Sequence, residues 1–478
     1  MERLTRSLFE TPVYPERILQ IGEGNFLRAF VCWMVQEMNE KADFKSSIVV
    51  TQPLSQGMVP QLNEQDGLYT LVLKGLDKGK PVRIIKRIEC ISRGINPFEH
   101  NDEFMQLACS PDMRFVISNT TEAGIAFDTE AKETECPPQN FPARMTKFLY
   151  HRFEAFKGAA DKGLIFIPCE LIEQNGDHLK EHMLHYAQLW HYPASFVEWM
   201  NSACAFANTL VDRIVPGYPR DTIAEITEEV QYEDKMVVEG EIFHLWVIEA
   251  PAWVEQELPT SKAGLNVLFV PSIKPYRDRK VTLLNGPHTV LSPVAYLAGL
   301  NTVREACEDA VVGKYVRKAM YDELIPTLDL SKEELTAFAD SVMERFCNPY
   351  VNHLVTSIML NSFPKFKTRD LPALKKYLER KGQLPDALVF GLAAIISYYK
   401  GGKRGEDTIV LNDDPKILDL LSQLWQTNDP STIAEGVLGA SFIWAEDLNS
   451  IAGLKEKLTG YLTLISQKGM NEALQTIV

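Results

Sequence analysis

A chain of 478 residues can bury two sizeable cores. With 45% hydrophobic and 24% charged residues, and glycine and proline dispersed along its length, it falls outside the disordered and fibrous classes. A formal net charge of -15 repels phosphate backbones, and no basic stripe with interleaved aromatics offsets it, so nucleic acid is excluded as a partner.

Taken in chain order, Met1 to Arg6 lack the apolar core of a secretion signal, so export is not expected. Arg17 to Ile21 reads as a first strand, followed by Gly22-Glu23-Gly24 and a helix from Asn25 to Asn39 with Phe26, Phe30, Trp33 and Met34 on one face. Further strands are expected at Ser47 to Thr51, Tyr69 to Leu73, Val82 to Ile91, Arg114 to Ser118 and Leu164 to Pro168. Helices fit Glu103 to Ala108, Ala143 to Phe156 and Leu179 to Trp190. This alternation is the mark of a parallel sheet with crossover helices, and it predicts an α/β Rossmann-like domain over 1–260.

Phe243 to Ile248 and Asn266 to Val270 are strand-like, after which helical periodicity dominates and predicts a mostly α-helical domain over 261–478. Ser331 and Glu334 have capping-box spacing ahead of Leu335 to Phe346, and Gly401-Gly402 closes a helix from Val389 to Lys400. The longest apolar stretch, Ala387 to Tyr399, is shorter than the roughly 20 residues that span a bilayer and reads as a buried helix. Tyr377 to Lys381 matches a Y-x-x-x-K pattern but reads as an ordinary amphipathic helix. Eight dispersed cysteines form no C-x-x-C pair, which points to reduced thiols in a cytoplasm and to no bound metal.

Gly22-Glu23-Gly24 sits where backbone amides at a helix N-terminus meet a pyrophosphate. The third glycine of G-x-G-x-x-G is replaced by Leu27, so an unliganded strand-to-helix turn explains the motif equally well. An acidic residue that binds the ribose is expected at the end of the second strand. Val49-Val50-Thr51-Gln52-Pro53 offers neither that carboxylate nor an arginine, which leaves NAD and NADP both open.

Chemistry concentrates in Arg279 to His288. On an α-helix Lys280, His288 and Asn285 fall near about 0, 80 and 140 degrees, within one half of the surface. Carbonyl reduction needs a proton donor for the developing alkoxide and dipoles that hold the oxygen, and these residue types supply both. Lys280 suits that role if it is desolvated or lies beside another cation such as Arg279. The alternative is a helix capped by Asn285, with Pro287 in its first turn, His288 in the core and Lys280 solvated. In a continuous helix Pro287 frees the carbonyl of Leu283 and favours a kink.

The K-x4-N-x2-H pattern of Lys280, Asn285 and His288 resembles the catalytic signature of the long-chain mannitol dehydrogenase family. The likeness also runs through Tyr14 to Ile18, Gly22 to Phe30, Ser118 to Gly124, Ile167 to Ile172, Asp212 to Ile214, Ile273 to Tyr276 and Arg345 to Tyr350. The resemblance implies a zinc-independent, NAD-dependent oxidoreductase with a Rossmann domain and a helical domain. It assigns Lys280 as general acid/base, Asn285 and His288 to the carbonyl, and Arg345 and Asp212 to the substrate. Gly22, Gly24, Asn25, Phe26, Leu27, Thr120 and Glu122 would contact the cofactor. Asn352 and His353 follow the Arg345 segment and read either as site-lining or as helix-packing residues.

One departure shifts the implied substrate: mannitol dehydrogenases carry an asparagine where this chain has Leu171. The resemblance then implies a small-molecule sugar acid, a keto-hexuronate, with tagaturonate reduced to altronate first. Fructuronate/mannonate and mannitol are the alternatives within the family. A non-catalytic nucleotide or sugar-acid sensor is the alternative from another class, and the intact Lys280, Asn285 and His288 set disfavours it.

Overall fold

Six parallel strands form the main sheet: β1 (Glu16–Ile21), β2 (Ser47–Thr51), β3 (Ile91–Ile95), β4 (Phe115–Ser118), β5 (Ile165–Pro168) and β6 (Ala205–Phe206). Their spatial order is 3-2-1-4-5-6, so the strand order reverses between β1 and β4. The computed structural model describes residues 1–120 and 123–478. The chain divides into two compact units, one of Met1–Gly75 with Val82–Ile273 and one of Leu76–Pro81 with Lys274–Val478.

Parallel strands covered on both faces read as continuous apolar runs, and every residue of β2, β4 and β5 is buried. Side chains still alternate between faces. Ile18, Ile48, Val50, Phe115 and Ile117 join the core beneath Phe30, Trp33 and Met34. Leu19, Ile21, Val49, Val116 and Phe166 face Met145, Phe148 and Leu149 of the helix Phe141–Ala155. Each such side chain removed from water stabilises the fold by about 1.5–3 kcal/mol.

The segment expected as one strand, Val82 to Ile91, is two. Lys80–Ile88 belongs to a three-stranded sheet with Tyr69–Asp77 and Val238–Glu241, whereas β3 starts at Ile91 on the edge of the main sheet. No glycine or proline marks the change between sheets, so periodicity alone reads through it. A further sheet of Asn208–Asp212, Leu245–Glu249 and Val267–Val270 completes the first unit, and its last strand lies beyond position 260.

The second unit is helical apart from a short pairing of Lys403–Arg404 with Asp407–Thr408. Its centre is the helix Asp386–Tyr398, in which Ala387 to Ile396 are all buried. Gly401 and Gly402, with φ of 69° and 94°, follow it as the sequence predicts. Ser331 caps the helix Lys332–Phe346 by accepting from Glu334 N–H at 3.2 Å, while the Glu334 carboxylate pairs with Arg279 at 2.8 Å. No described helix is long and apolar enough to cross a membrane.

Candidate active site

In the first unit the last residue but one of β1 is Gln20, which is fully buried. Its amide donates to Gly22 O at 2.8 Å and its oxygen accepts from Cys32 Sγ, so a polar side chain inside the sheet is satisfied while fixing the turn that follows. Gly22 has φ of 121°, and a Cβ there would lie 2.9 Å from Asn119 O at the end of β4. Only glycine fits this turn, at the point where the strand order reverses. Gly24, by contrast, has open space where a Cβ would be.

Asn25, Phe26 and Leu27 form the first helical turn, with their N–H groups at the positive end of a helical run over 25–42. Within that run Arg28–Cys32 is a π-turn. Tyr69 Oη donates to Arg28 O at 2.6 Å and Arg213 donates to Ala29 O, so neighbouring side chains satisfy carbonyls that the π-turn displaces. Open space at Gly24, unpaired helical amides and the strand-order reversal fit a dinucleotide pyrophosphate.

Of the other cofactor candidates, Leu27 is buried, with its side chain against the position of a Gly22 Cβ, and Phe26 stacks on Phe30. Either could meet a phosphate only through its backbone N–H. Asn25 accepts from Arg28 at 2.8 Å. Thr120 gives both its N–H and its hydroxyl to Glu170 Oε1, at 2.9 and 3.0 Å. Glu122 lies outside the described residues. Glu170 itself is buried and also accepts from Ser118, and thus ties the end of β4 to the end of β5. Burial pushes its carboxyl up, against the hydrogen bonds from Thr120 and Ser118.

In the second unit Lys280, Asn285 and His288 lie on one helical run: Lys274–Lys280, a π-turn Val281–Asn285, and Gly286–Leu297. Just before Pro287, where a kink is expected, the run widens into this π-turn, in which Gly286 N–H reaches back to Val281 O. The wider turn tolerates the missing proline N–H, and such turns recur at functional sites. Asn285 makes no capping hydrogen bond through its side chain. A Cβ on Gly286 would lie 3.0 Å from Asp370 Oδ1, so a glycine lets the helix pass this fully buried carboxyl. Burial pushes the Asp370 carboxyl well above its ordinary value. Arg279 turns to Glu334 and packs over the Tyr276 and Phe338 rings.

The His288 ring lies 4.2 Å from the Phe346 ring and 5.1 Å from the His353 ring. Its Nε2 is shut off from solvent and has no hydrogen-bond partner. A buried polar atom left so costs about 1–3 kcal/mol, which a ligand oxygen would recover. Burial, and then His353, Arg345, Arg369 and Lys365, hold its pKa well below the ordinary value, so the imidazole is neutral near pH 7.

Lys365 and Arg369 sit one turn apart on the helix Ser362–Arg369. Sequence reading passed over both. Their recorded hydrogen bonds end on neutral oxygens: Lys365 Nζ donates to Ile358 O at 2.7 Å, and Arg369 Nη1 donates to Thr289 Oγ1, beside His288, at 3.2 Å. A cationic cluster therefore surrounds His288 in a chain whose net charge is -15. Arg345 is part of this cluster, while Asp212 is a buried residue of the first unit, at the end of Asn208–Asp212. Leu171 is 65% exposed beside Glu170. Among the described residues no group of three or more His, Cys, Asp or Glu could hold a metal ion.

Comparison with known proteins adds to this geometry. Residues 16–262 match the family described as the mannitol dehydrogenase Rossmann domain, and residues 272–465 the mannitol dehydrogenase C-terminal domain. An altronate oxidoreductase of Phocaeicola vulgatus is 58% identical over 479 residues, covering 100% of both chains. A solved D-sorbitol dehydrogenase has a TM-score of 0.83 at 20% identity, covering 99% of this chain and 100% of its own. The mannitol 2-dehydrogenase of Pseudomonas fluorescens, solved as a ternary complex with NAD and D-mannitol, has a TM-score of 0.68 at 21% identity, covering 100% of this chain and 99% of its own.

Proposed function

The chain belongs to the mannitol dehydrogenase family and is an oxidoreductase acting on a CH–OH group, and from that premise we propose that it reversibly reduces a keto-hexuronate with NADH, converting tagaturonate to altronate. The observation that carries this reading is the cationic cluster of Lys365, Arg369 and Arg345 near His288, with Arg369 bonded to Thr289 beside it. A hexuronate brings a carboxylate that such a cluster binds, whereas a polyol has no charge to offer it. The name of the Phocaeicola vulgatus relative agrees with this choice.

The glycine turn would hold the cofactor through the amides of Gly24, Asn25, Phe26 and Leu27, with Thr120 at the end of β4, while the Gly22 N–H is given to Thr51 O and shapes the turn. When bound, NADH supplies the hydride that reduces the ketone carbon. As negative charge develops on the ketone oxygen, the Asn285 amide and the His288 ring N–H donate to it. The neutral imidazole donates its N–H without giving up its proton, which leaves protonation of the oxygen to Lys280. Lys280 Nζ delivers the proton that completes the hydroxyl, and in altronate oxidation the neutral amine takes it back. Arg369, Lys365 and Arg345 orient the substrate through its carboxylate.

The test is an NADH-consumption assay over tagaturonate, fructuronate and fructose. Tagaturonate is expected to give the highest kcat/KM. Equal or better turnover of fructose would overturn the hexuronate reading, and preference for fructuronate would move it to mannonate formation.

A further inference from the structure

A dinucleotide site of this topology needs an acceptor for the adenosine ribose at the end of β2, and the sequence there ends on Thr51-Gln52-Pro53. The fold brings a carboxylate to that place from elsewhere. Glu23, between the two glycines of the turn, is buried, and its Oε1 accepts from Met58 N–H at 3.3 Å. Gln52 is 1% exposed. Its Nε2 donates to Leu54 O and Ser55 O, both at 2.9 Å, which folds the 52–58 segment back, and its buried Oε1 has no partner. A Cβ on Gly57 would meet both the Glu23 Oε1 and the Gln52 Oε1 within 3.0 Å, so the two oxygens lie near each other, packed against the bare Cα of Gly57.

We propose that Glu23 and Gln52 form the acceptor pair for the adenosine 2'-hydroxyl, and that Glu23 thereby makes this chain select NAD over NADP. The proposal rests on the reading of the glycine turn as a dinucleotide site. A hydroxyl has a proton to give to an acceptor pair. A 2'-phosphate has none when ionised and brings about -1.5 to -2 charge against a carboxylate and an amide oxygen. The nearby cations do not offset this. Arg144 is 1% exposed and donates to Pro53 O, Pro138 O and Gln139 O. Arg28 donates to Glu23 O, Asn25 Oδ1 and Met236 O. The Arg28 guanidinium is turned onto oxygens of the chain itself, and Arg144 Nη1, which has no partner, is shut off from solvent.

Direct binding measures the effect without turnover. The purified protein is titrated with NADH and with NADPH and followed by nucleotide fluorescence, with circular dichroism on every variant. The wild type is expected to bind NADH about a hundredfold more tightly. Glu23→Ala is expected to weaken NADH about tenfold, the scale of one hydrogen bond to a charged group. Glu23→Gln, which keeps the shape and removes the charge, narrows the NADH-to-NADPH ratio about tenfold. If Glu23→Ala does not fold, Glu23→Gln and Gln52→Ala carry the test, and Gln52→Ala is expected to weaken NADH severalfold. Equal affinity of the wild type for both nucleotides, or folded variants with an unchanged ratio, would overturn the assignment. A wild type that binds neither nucleotide overturns the dinucleotide reading, and this proposal with it.

Discussion

The glycine turn of the first unit and the Lys280 to His288 helix of the second place functional groups in opposite ways. The turn offers backbone amides, and its demands fall on residues a few positions apart: a glycine at 22 with positive φ, open space at 24 and a helix start at 25. The helix offers side chains, and its neighbours come from distant segments, Phe346 and His353 on one side and Lys365 and Arg369 on another. Backbone recognition is thus written locally, whereas side-chain chemistry needs tertiary assembly. Both regions share one device, a π-turn beside the functional residues, at Arg28–Cys32 and at Val281–Asn285.

The largest expected effect removes the proton donor. Lys280→Ala should lower kcat about a thousandfold while NADH affinity, measured by fluorescence titration, stays within twofold. A loss of NADH binding of the same size would mean that the two regions are not separable in function.

Next is the cationic cluster. Arg369→Met should raise KM for a keto-hexuronate roughly 10- to 100-fold, the scale of a lost charge-assisted pair, with kcat changed less. Arg369→Lys should recover part of the loss. A uniform fall for hexuronate and fructose alike would assign Arg369 to packing on Thr289 instead.

The turn can be dissected by its two glycines. Gly22→Ala should destabilise the protein by about 1–3 kcal/mol in urea melts, since it combines a positive φ with a contact on Asn119 O. Gly24→Ala should leave stability unchanged and weaken NADH about tenfold, because its Cβ enters open space where a phosphate would approach. Equal stability losses in the two variants would break the distinction.

The smallest effect concerns acid. His288, and His244 of the first unit, are both held below the ordinary value of 6.5 by burial, His244 to about 4. The His244 ring accepts from Asn266 N–H at 2.9 Å and lies 4.7 Å from the Trp33 ring. A depressed histidine pKa favours the folded state above pH 6.5, and that stability is lost as pH falls toward the folded value. Each group then contributes a slope of at most about 1.4 kcal/mol per pH unit. Urea melts at pH 7.5 and 5.5 should show the loss, and His244→Gln and His288→Gln should each flatten it.

Alternating strands and helices, the glycine turn and the shared helix of Lys280, Asn285 and His288 follow from residues near one another, because hydrophobic period, turn conformation and helix geometry are local. Where local cues are silent, sequence reading goes astray: the passage from Ile88 to Ile91 changes sheets with no glycine or proline, and the Glu334 carboxylate leaves its capping box for Arg279. Tertiary structure alone decided that Lys365 and Arg369 surround His288, that Asp370 lies under Gly286, and that Glu23 reaches the segment after β2. These contacts join residues far apart in the chain, and burial and charge at such a junction exist only once the packed core has set which side chains share it.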